Sequence, residues 1–265
     1  MTTDPYQTIE VVEKGPVAEV ILSRPEVRNA FDEILLGELN RALQSIGGEK
    51  RIRIVVLTGK GEAFSAGADL NWMRKVAGYT YEQNVSDAKT LADAIQALYS
   101  MPQATIARVN GPSIGGALGL IAACDIAVAS REAFFALREV RLGIVPAVIS
   151  PYVIRKIGER NARDYFLTGR RIDADTALEI GLVNEVVETL DLDDAVDGWI
   201  KRFQHSGPEA VKACKELIAK VSGSSIDEVK DYTTDLIAQL RVSDEGKEGF
   251  ASFFEKRKPE WDLEE

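Results

Sequence analysis

Apolar residues in the first two thirds of the chain fall into short runs separated by longer amphipathic stretches. The runs at residues 9–12 and 17–22 flank the turn Lys14-Gly15-Pro16, which predicts a β-hairpin. Further apolar runs that predict short strands lie at residues 54–57, 104–109, 126–129 and 133–136. Because helical patterns stand between several of these runs, the sequence predicts an α/β core.

The predicted helices have recognisable starts and stops. Asp32 is the predicted N-cap of a helix that ends at Gly47-Gly48, and a second helix is predicted from about Tyr81 to Tyr99. Ser150-Pro151, an N-cap followed by proline, predicts the start of another helix that stops at Gly158.

The last third of the chain changes character. From about Leu192 onward only helical patterns remain. A helical segment of this length is expected to pack on the core or on a neighbouring subunit instead of closing a core of its own. The sequence therefore predicts two regions, an α/β core at residues 1–191 and a helical region at residues 192–265.

Composition and charge narrow the possible chemistry. The 265 residues include 42 acidic and 32 basic side chains, and this net charge of −10 argues against nucleic-acid binding. One histidine, His205, excludes a histidine-rich metal site, and its place at a helix junction predicts no catalytic role. The two cysteines, Cys124 and Cys214, form no Cys-x-x-Cys pair and are predicted to be core residues.

The apolar runs, the first eight residues and the cysteines predict the cellular compartment of the protein. No apolar run reaches the roughly 18–20 residues that span a bilayer, so no membrane segment is expected. Residues 1–8 lack the basic and apolar regions of a signal peptide. Two lone cysteines fit a reducing compartment, so a cytoplasmic protein is predicted.

Two loops rich in small residues, at residues 63–70 and 110–119, each follow a predicted strand and precede a helix. Small residues let a ligand approach backbone N–H groups, and two such loops can aim one N–H each at a carbonyl oxygen, forming an oxyanion hole. The alternative is that both are tight strand-to-helix turns. Neither loop matches the patterns of nucleotide-binding loops.

The loops belong to a longer series of motifs that runs through nearly the whole chain. Its members are Leu22-Ser23-Arg24-Pro25 with Asn29-Ala30, Phe64-Ser65-Ala66-Gly67-Ala68-Asp69-Leu70, Val109-Asn110-Gly111 with Gly115-Gly116, Cys124-Asp125-Ile126, Glu139 with Leu142-Gly143 and Pro146, Leu167-Thr168-Gly169, Ala177 with Gly181-Leu182-Val183, and Phe253 with Glu255-Lys256-Arg257. This series resembles the enoyl-CoA hydratase/isomerase (crotonase) family. Residues 69–73 and 146–151 are similar to the branch of methylglutaconyl-CoA and isohexenylglutaconyl-CoA hydratases.

The resemblance implies a fold, an assembly and a site. The implied fold is an α/β spiral core of repeated ββα units with a C-terminal helical trimerisation region, assembled as a homo-trimer or homo-hexamer. The backbone N–H groups of Ala68 and Gly116 match the positions that hold the thioester oxygen. The residues implied to flank the acyl-CoA are Ala66, Gly67, Ala68, Asp69 and Leu70. Phe253 and Lys256 match positions that touch the CoA of an adjacent subunit; from the residues alone, Lys256 reads as a solvated charge.

The resemblance also bears on acid–base chemistry. Hydratases of this family commonly use two glutamates, and here the first of those positions is Gly119 whereas the second is Glu139. One glutamate can take a proton from water and return it to C2, or move a proton between C2 and C4. Glu139 is therefore the predicted acid and base, although its sequence context alone would suggest a surface ion pair. Arg138 and Arg141 are candidates for binding a second carboxylate on a glutaconyl-type acyl group.

These expectations combine into one predicted activity with two alternatives. The preferred activity is reversible hydration of a 2-enoyl-CoA, of the methylglutaconyl-CoA type, with no metal or redox cofactor, because the CoA thioester of the substrate is the activating group. The first alternative is a 3,2-enoyl-CoA isomerase that uses the same Glu139. The second is a non-catalytic protein of the family that binds acyl-CoA or RNA, and the net charge of −10 opposes RNA binding.

Overall fold

The computed structural model describes residues 6–262, within which there are nine strands and ten α-helices. The strands are β1 (Ile9–Lys14), β2 (Val17–Leu22), β3 (Ile54–Gly59), β4 (Ala104–Val109), β5 (Ser113–Ile114), β6 (Ile126–Ser130), β7 (Phe134–Ala136), β8 (Arg171–Asp173) and β9 (Glu185–Val187). The helices are α1 (Glu33–Gly47), α2 (Leu70–Val76), α3 (Tyr81–Tyr99), α4 (Gly116–Ala123), α5 (Ser150–Thr168), α6 (Ala174–Glu179), α7 (Leu192–Gln204), α8 (Pro208–Val221), α9 (Ile226–Val242) and α10 (Asp244–Glu255).

The larger sheet has the strand order β1-β2-β3-β4-β6-β9. Strands β1 and β2 form the predicted antiparallel hairpin, while β3 runs parallel to β2 and β6 runs parallel to both β4 and β9. Every residue of β3 is buried, as expected for a strand covered on both faces. The prediction of a short buried strand at residues 54–57 is confirmed.

Helices α1 and α3 pack together and confirm two helix predictions. The Asp32 side chain accepts a hydrogen bond from the backbone N–H of Leu35, so it caps α1 as expected. Leu35, Leu39 and Leu43 recur every four residues on one face of α1 and are fully buried. Burial of each such leucine contributes about 1.5–3 kcal/mol, which makes this face the main anchor of the helix.

The smaller sheet, with the order β5-β7-β8, escaped sequence analysis except for β7. Strand β5 has two residues, and it pairs in parallel with β7 so that Ser113 lies opposite Phe135 and Ile114 opposite Ala136. Strands of two or three residues carry no detectable periodicity. This short pairing nevertheless positions the site, because it brings the start of α4 beside the end of β7.

Helix α5 differs from its prediction in two details. Ile149 takes the capping position ahead of Ser150, because the Ser150 N–H already donates to Pro146 O at 3.0 Å and Ser150 thereby joins the first turn. Gly158 has φ of 73° and ψ of 162°, so the predicted stop is a kink within the helix.

The chain divides into two compact units. One comprises the residues up to Met101 together with Thr105–Val196, and it contains both sheets apart from Ala104, the first residue of β4. The other comprises Pro102–Ala104 and the residues from Asp197 onward, where α9 packs against both α8 and α10. The predicted boundary between residues 191 and 192 immediately precedes α7, whereas the division in the structure falls within α7.

The cysteines differ in their environments. Cys124 is buried, as predicted, but Cys214 is exposed. The prediction for Cys214 was wrong because the buried position of α8 is the neighbouring Ala213, which turns Cys214 toward the surface of the chain. Within residues 6–262, no helix has both the length and the apolar character needed to cross a membrane.

Candidate active site

The first loop, residues 63–70, presents an unused backbone donor at Ala68. The Phe31 N–H donates to Gly67 O at 2.6 Å, and the Asp69 N–H donates to Phe31 O at 2.8 Å. The Ala68 N–H between them donates to no acceptor within residues 6–262. Gly67 has φ of +85°, a conformation that favours glycine. Since Ala68 is exposed, its N–H is available to a ligand.

The second loop ends at the start of α4 and presents a similar donor. Gly116 is the first residue of the helix, so its N–H has no acceptor among residues 6–262. Gly115 has φ of 56° and ψ of −120°, which only glycine adopts readily, and its carbonyl accepts from the Leu118 N–H at 3.0 Å. Because C=O and N–H point in opposite directions across a trans peptide, the Gly116 N–H points away from Leu118.

The two loops are in direct contact. The Ser65 N–H donates to Pro112 O at 3.2 Å, and the Ile114 N–H donates to Ser65 O at 3.0 Å. A Cβ atom on Gly67 would lie 2.8 Å from Ile114 O, so only glycine permits this approach. The structure thus joins the loops that carry the N–H groups of Ala68 and Gly116, an arrangement that an oxyanion hole requires.

Phe31 connects the same two loops from the other side. Its backbone bonds to the first loop, and a Cβ atom on Gly116 would lie 3.2 Å from its ring atom Cε2. Phe31 itself is 1% exposed. This role of Phe31 is not predictable from the sequence, since its local pattern is that of an ordinary core phenylalanine.

Glu139 lies beside the second loop. It opens a 3₁₀ turn (Glu139–Leu142) shortly after β7, and a Cβ atom on Gly115 would lie 3.1 Å from Glu139 Oε1. Its Oε2 atom is buried and has no hydrogen-bond partner within residues 6–262. Burial raises the pKa of Glu139 above the ordinary 4.5, against a smaller opposing effect of its own backbone N–H. A carboxylate in this environment is suited to taking up and releasing a proton.

At Gly119, the position that differs from two-glutamate relatives, the space for a side chain is occupied by neighbouring isoleucines. Gly119 lies in α4, and a Cβ atom there would lie 2.9 Å from Ile149 Cβ and 2.9 Å from Ile95 Cδ1, and would overlap Ile149 Cγ2. Ile149 is 2% exposed. A longer side chain at residue 119 therefore requires Ile149 to move, a constraint that the sequence did not reveal.

Asp69 has a structural role in the first loop. Its carboxylate caps α2 by accepting from the N–H groups of Asn71 at 2.8 Å and Trp72 at 3.2 Å, and it pairs with Arg24 at 3.2 Å. Burial alone opposes ionisation, but these N–H groups and Arg24 together hold the pKa of Asp69 below its usual value. The carboxylate is therefore engaged within the protein, and a contact with acyl-CoA stays a prediction.

The other predicted residues of this loop differ in accessibility. The Ala66 N–H donates to Arg28 O at 2.9 Å, and Ala66 is half-buried. Gly67 is buried, whereas Leu70 is 70% exposed. An exposed leucine at the mouth of a loop offers apolar surface to a ligand, which is consistent with the predicted position beside acyl-CoA.

The two arginines near Glu139 are not equivalent. Arg141 donates through Nη2 to Thr168 O at 3.3 Å. A Cβ atom added to Gly169 would lie 3.0 Å from Arg141 Nε. Arg141 therefore rests against the C-terminal end of α5, where a cation is favourable. Arg138 is exposed and makes no ion pair or hydrogen bond through its side chain within residues 6–262.

Phe253, Lys256 and His205, the other residues whose roles were predicted from the sequence, lie in the second unit. Phe253 is 77% exposed near the end of α10. Lys256 follows that helix with φ of 58°, one of the few left-handed residues other than glycine among residues 6–262. His205 Nδ1 lies 3.1 Å from Asp262 Oδ2, and the absence of a catalytic role for His205 stays a prediction.

Comparisons with known proteins agree with this architecture. The sequence profile of the enoyl-CoA hydratase/isomerase family matches residues 13–264. The crystal structure of an enoyl-CoA hydratase from Shewanella pealeana superimposes with a TM-score of 0.94 at 42% identity, covering 97% of each chain. An enoyl-CoA hydratase of Alternaria alternata is 33% identical over 92% of this chain and 80% of its own.

A relative with another activity is also similar. The peroxisomal Delta(3,5)-Delta(2,4)-dienoyl-CoA isomerase of Arabidopsis thaliana is 30% identical over 98% of both chains. The family and its fold, predicted from the motifs, are thereby confirmed, and relatives named as hydratases and as an isomerase are both similar to this chain. With this fold and these matches, the chain is an enzyme that belongs to the enoyl-CoA hydratase/isomerase family.

Proposed function

We propose that this enzyme adds water reversibly to a 2-enoyl-CoA thioester, with Glu139 as its only acid–base residue. The observation that carries the proposal is the position of the half-buried Glu139 carboxylate against Gly115, next to the free N–H of Gly116. One group moves protons, and the adjacent N–H groups stabilise negative charge on oxygen.

The mechanism follows from these two functions. The thioester oxygen accepts hydrogen bonds from the N–H groups of Ala68 and Gly116, which draws electrons from the conjugated double bond. Glu139 takes a proton from water as the water oxygen bonds to C3, and the enolate charge collects on the thioester oxygen. The protonated Glu139 then returns the proton to C2. Glu139 ends as it began, and one water molecule has been added.

The apolar surroundings of Gly119 support a single-carboxylate mechanism. Ile149 and Ile95 occupy the space that a side chain at residue 119 would need. No second carboxylate can therefore act from this position without displacing Ile149. The raised pKa of Glu139 suits a group that has to release its proton as readily as it takes it up.

For the substrate we propose a glutaconyl-type thioester, the class suggested by the resemblance to methylglutaconyl-CoA hydratases. Arg138, which is exposed and unpaired among the described residues, is the candidate for binding the distal carboxylate, because Arg141 is held by Thr168. Arg138→Ala should reduce the preference for glutaconyl over crotonyl thioesters, and Arg141→Ala should not. An unchanged preference in Arg138→Ala contradicts this assignment.

The assembly proposed is a homo-trimer or homo-hexamer in the cytoplasm, in which Phe253 and Lys256 contact the CoA held by an adjacent subunit. Phe253 and Lys256 are both exposed, so their side chains are accessible to a molecule outside the chain. No metal or redox cofactor is required in this scheme, because the thioester itself activates the double bond.

The second candidate activity is 3,2-enoyl-CoA isomerisation, favoured by the same single carboxylate and by the similarity to a dienoyl-CoA isomerase. A panel of 2-enoyl- and 3-enoyl-CoA thioesters that includes 3-methylglutaconyl-CoA separates the two. Hydration of the 2-enoyl thioesters supports the proposed function. Conversion of 3-enoyl-CoA into 2-enoyl-CoA, with no hydroxyacyl-CoA formed from the 2-enoyl thioesters, supports the isomerase.

The variant that tests the mechanism is Glu139→Gln. We expect kcat to fall by about a thousandfold or more, since general acid–base catalysis contributes about 10²–10⁴-fold. Glu132→Gln, a change at an exposed glutamate between β6 and β7, is the control and should retain activity. Retention of most activity in Glu139→Gln removes Glu139 from the mechanism.

Tight CoA binding by wild-type protein without turnover on any thioester favours a binding protein.

A further inference from the structure

A buried polar network lies behind the first loop, and the sequence motifs gave no role to its members. Asn29 is fully buried and left-handed, with φ of 55°. Its side-chain amide donates to Lys60 O at 2.9 Å and to Ala63 O at 2.8 Å, so it fixes the start of the loop. Its own carbonyl accepts from the hydroxyl of Ser65 at 2.8 Å.

Ser65 passes this constraint to the part of the loop that faces the ligand. Its hydroxyl accepts from the Gly67 N–H at 3.2 Å, and Ser65 is also fully buried. Gly67 is thus held at both ends, since its N–H is bound by Ser65 and its carbonyl by the Phe31 N–H at 2.6 Å. The two bonds together fix the unusual φ of +85° at Gly67.

The direction of the Ala68 N–H follows from this anchoring. It belongs to the same peptide plane as the Gly67 carbonyl and points the opposite way. Rotation of that peptide turns the Ala68 N–H and weakens or breaks the bond from the Phe31 N–H to Gly67 O. The bond from the Gly67 N–H to Ser65 lies in the preceding peptide plane, so it fixes the other side of Gly67, from which the Ala68 peptide extends. The hydroxyl of Ser65 therefore helps to set where the Ala68 N–H points before a ligand arrives.

We propose that Ser65 is a positioning residue whose hydroxyl orients the Ala68 N–H toward the thioester oxygen. The inference rests on the proposed function, in which that N–H stabilises the enolate. Ser65 does not touch the substrate in this scheme; it acts through Gly67. Its loss should reduce stabilisation of the transition state more than binding of the ground state, because charge on the oxygen grows during the reaction.

The chain offers a closely matched control. Ser130 is also fully buried, and its hydroxyl also accepts from a backbone N–H two residues later, that of Glu132 at 3.2 Å. Its other hydroxyl contact is with Thr189 at 2.7 Å, not with either loop of the site. Ser65→Ala and Ser130→Ala therefore remove equivalent buried hydroxyls, one from the site and one from a turn.

The experiment measures kcat, KM and the absorption of a bound aryl-enoyl-CoA, whose band shifts to longer wavelength when its carbonyl is polarised. In Ser65→Ala we expect kcat to fall by about 10- to 100-fold, since a donor misplaced by about 1 Å can cost 10²-fold. KM should change less than about threefold, and the band shift should shrink. Ser130→Ala should keep the wild-type kcat and band shift while losing similar thermal stability.

A second variant covers the case in which Ser65→Ala does not fold. Ser65→Cys keeps a group of nearly the same size that is a weak donor and acceptor, so its kcat and band shift should lie between those of wild type and Ser65→Ala. Folded Ser65 variants with wild-type kcat and band shift overturn the inference, as does an equal loss in Ser130→Ala. A wild-type protein that neither polarises the probe nor turns over any thioester overturns the proposed function itself.

Discussion

Gly115 and Gly119 stand four residues apart, and each lies against side chains from distant parts of the chain. At Gly115 the neighbour is the carboxylate of Glu139, whose Oε1 would lie 3.1 Å from an added Cβ. At Gly119 the neighbours are Ile149, whose Cβ would lie 2.9 Å from an added Cβ, and Ile95, whose Cδ1 would lie 2.9 Å from it. The first glycine leaves room for a carboxylate, and the space beside the second is filled by apolar side chains.

The comparison bears directly on the chemistry. A missing side chain at residue 119 could have left a space for water or for another polar group. Instead both Ile149 and Ile95 close it, and both are buried. We call the contact of Glu139 with Gly115 the acidic side of this pair, and the contacts of Ile149 and Ile95 with Gly119 its apolar side.

Among the substitutions at these two glycines, the larger effect is expected from Gly115→Ala. The new Cβ would crowd Glu139 Oε1 and would force a non-glycine residue into φ of 56° with ψ of −120°. Relief of either strain moves Glu139 or the peptide that carries the Gly116 N–H. We expect kcat to fall by about 100-fold, the loss typical of a misplaced catalytic group. Steady-state kinetics on the preferred 2-enoyl-CoA measures it.

Gly15→Ala is the matched control for this substitution. Gly15 is also left-handed, with φ of +58°, but an added Cβ would meet nothing within 4 Å. It should lower the free energy of unfolding by about 1–2 kcal/mol through backbone strain and leave kcat unchanged. Equal kcat values in Gly115→Ala and wild type would show that Glu139 does not need the space beside Gly115.

On the apolar side, the prediction concerns stability. Gly119→Ala should cost about 1–3 kcal/mol through overpacking against Ile149, and Ile149→Ala should cost about 2–5 kcal/mol through the cavity it leaves. The double variant should cost less than the sum by about 0.5–3 kcal/mol, because the smaller residue 149 makes room for the new methyl group. Urea unfolding of the four proteins measures this coupling.

Gly37→Ala, in α1, supplies the opposite expectation from the same substitution. There an added Cβ would meet only Arg41 Nη1, at an ordinary 3.8 Å. Alanine is the better helix former, so the free energy of unfolding should rise by up to about 1 kcal/mol. Additive effects of Gly119→Ala and Ile149→Ala would mean that the two residues do not share the space, and the apolar side of the comparison would fail.

These contacts mark the limit of what the sequence could predict. Local signals predicted the capped start of α1 at Asp32 and the bounds of α3, and both are confirmed. The motif series predicted the fold, which is confirmed, and Glu139 as the acid and base, which stays a prediction. The contact of Ile149 with Gly119 joins residues thirty positions apart, and the bond from Ser65 to Asn29 spans thirty-six. Such pairings have no periodic pattern, and two-residue strands such as β5 have none either, so only the folded chain reveals them.

The acidic side also predicts a pH dependence with opposite signs for stability and activity. The pKa of folded Glu139 lies above the ordinary 4.5 because the carboxyl group is desolvated. Wild type therefore loses stability relative to Glu139→Gln as the pH rises from about 4.5 through that raised pKa, since the folded state has to ionise a buried group. Over the same range kcat/KM of wild type should rise, because the base becomes ionised.

Melting temperatures of wild type and Glu139→Gln across this pH range, with kcat/KM of wild type, measure both trends. The two melting temperatures should differ least well below pH 4.5, where both side chains are neutral in the folded and the unfolded chain. A difference that stays constant with pH would show that Glu139 is not desolvated in the folded protein, and the contrast with the apolar side would weaken.

The smallest effect on stability and binding is expected from a substitution at Lys256, a residue that contrasts with Gly119. At Gly119 the chain has no side chain because none fits; at Lys256 it keeps a side chain although φ of 58° favours glycine. The Lys256 side chain makes no hydrogen bond or ion pair within residues 6–262, so no polar contact among the described residues explains why a lysine stands there. Binding of CoA by an adjacent subunit would account for it.

Lys256→Gly should therefore raise the free energy of unfolding by up to about 1 kcal/mol, by relieving the left-handed strain, while KM for the CoA thioester rises severalfold. Lys256→Arg keeps both the strain and the charge, and it should leave both quantities close to wild type. A more stable Lys256→Gly with an unchanged KM would separate the strain from CoA binding. Since backbone relief alone cannot weaken substrate binding, only the combined result, gained stability with a raised KM, identifies a side chain retained for its ligand.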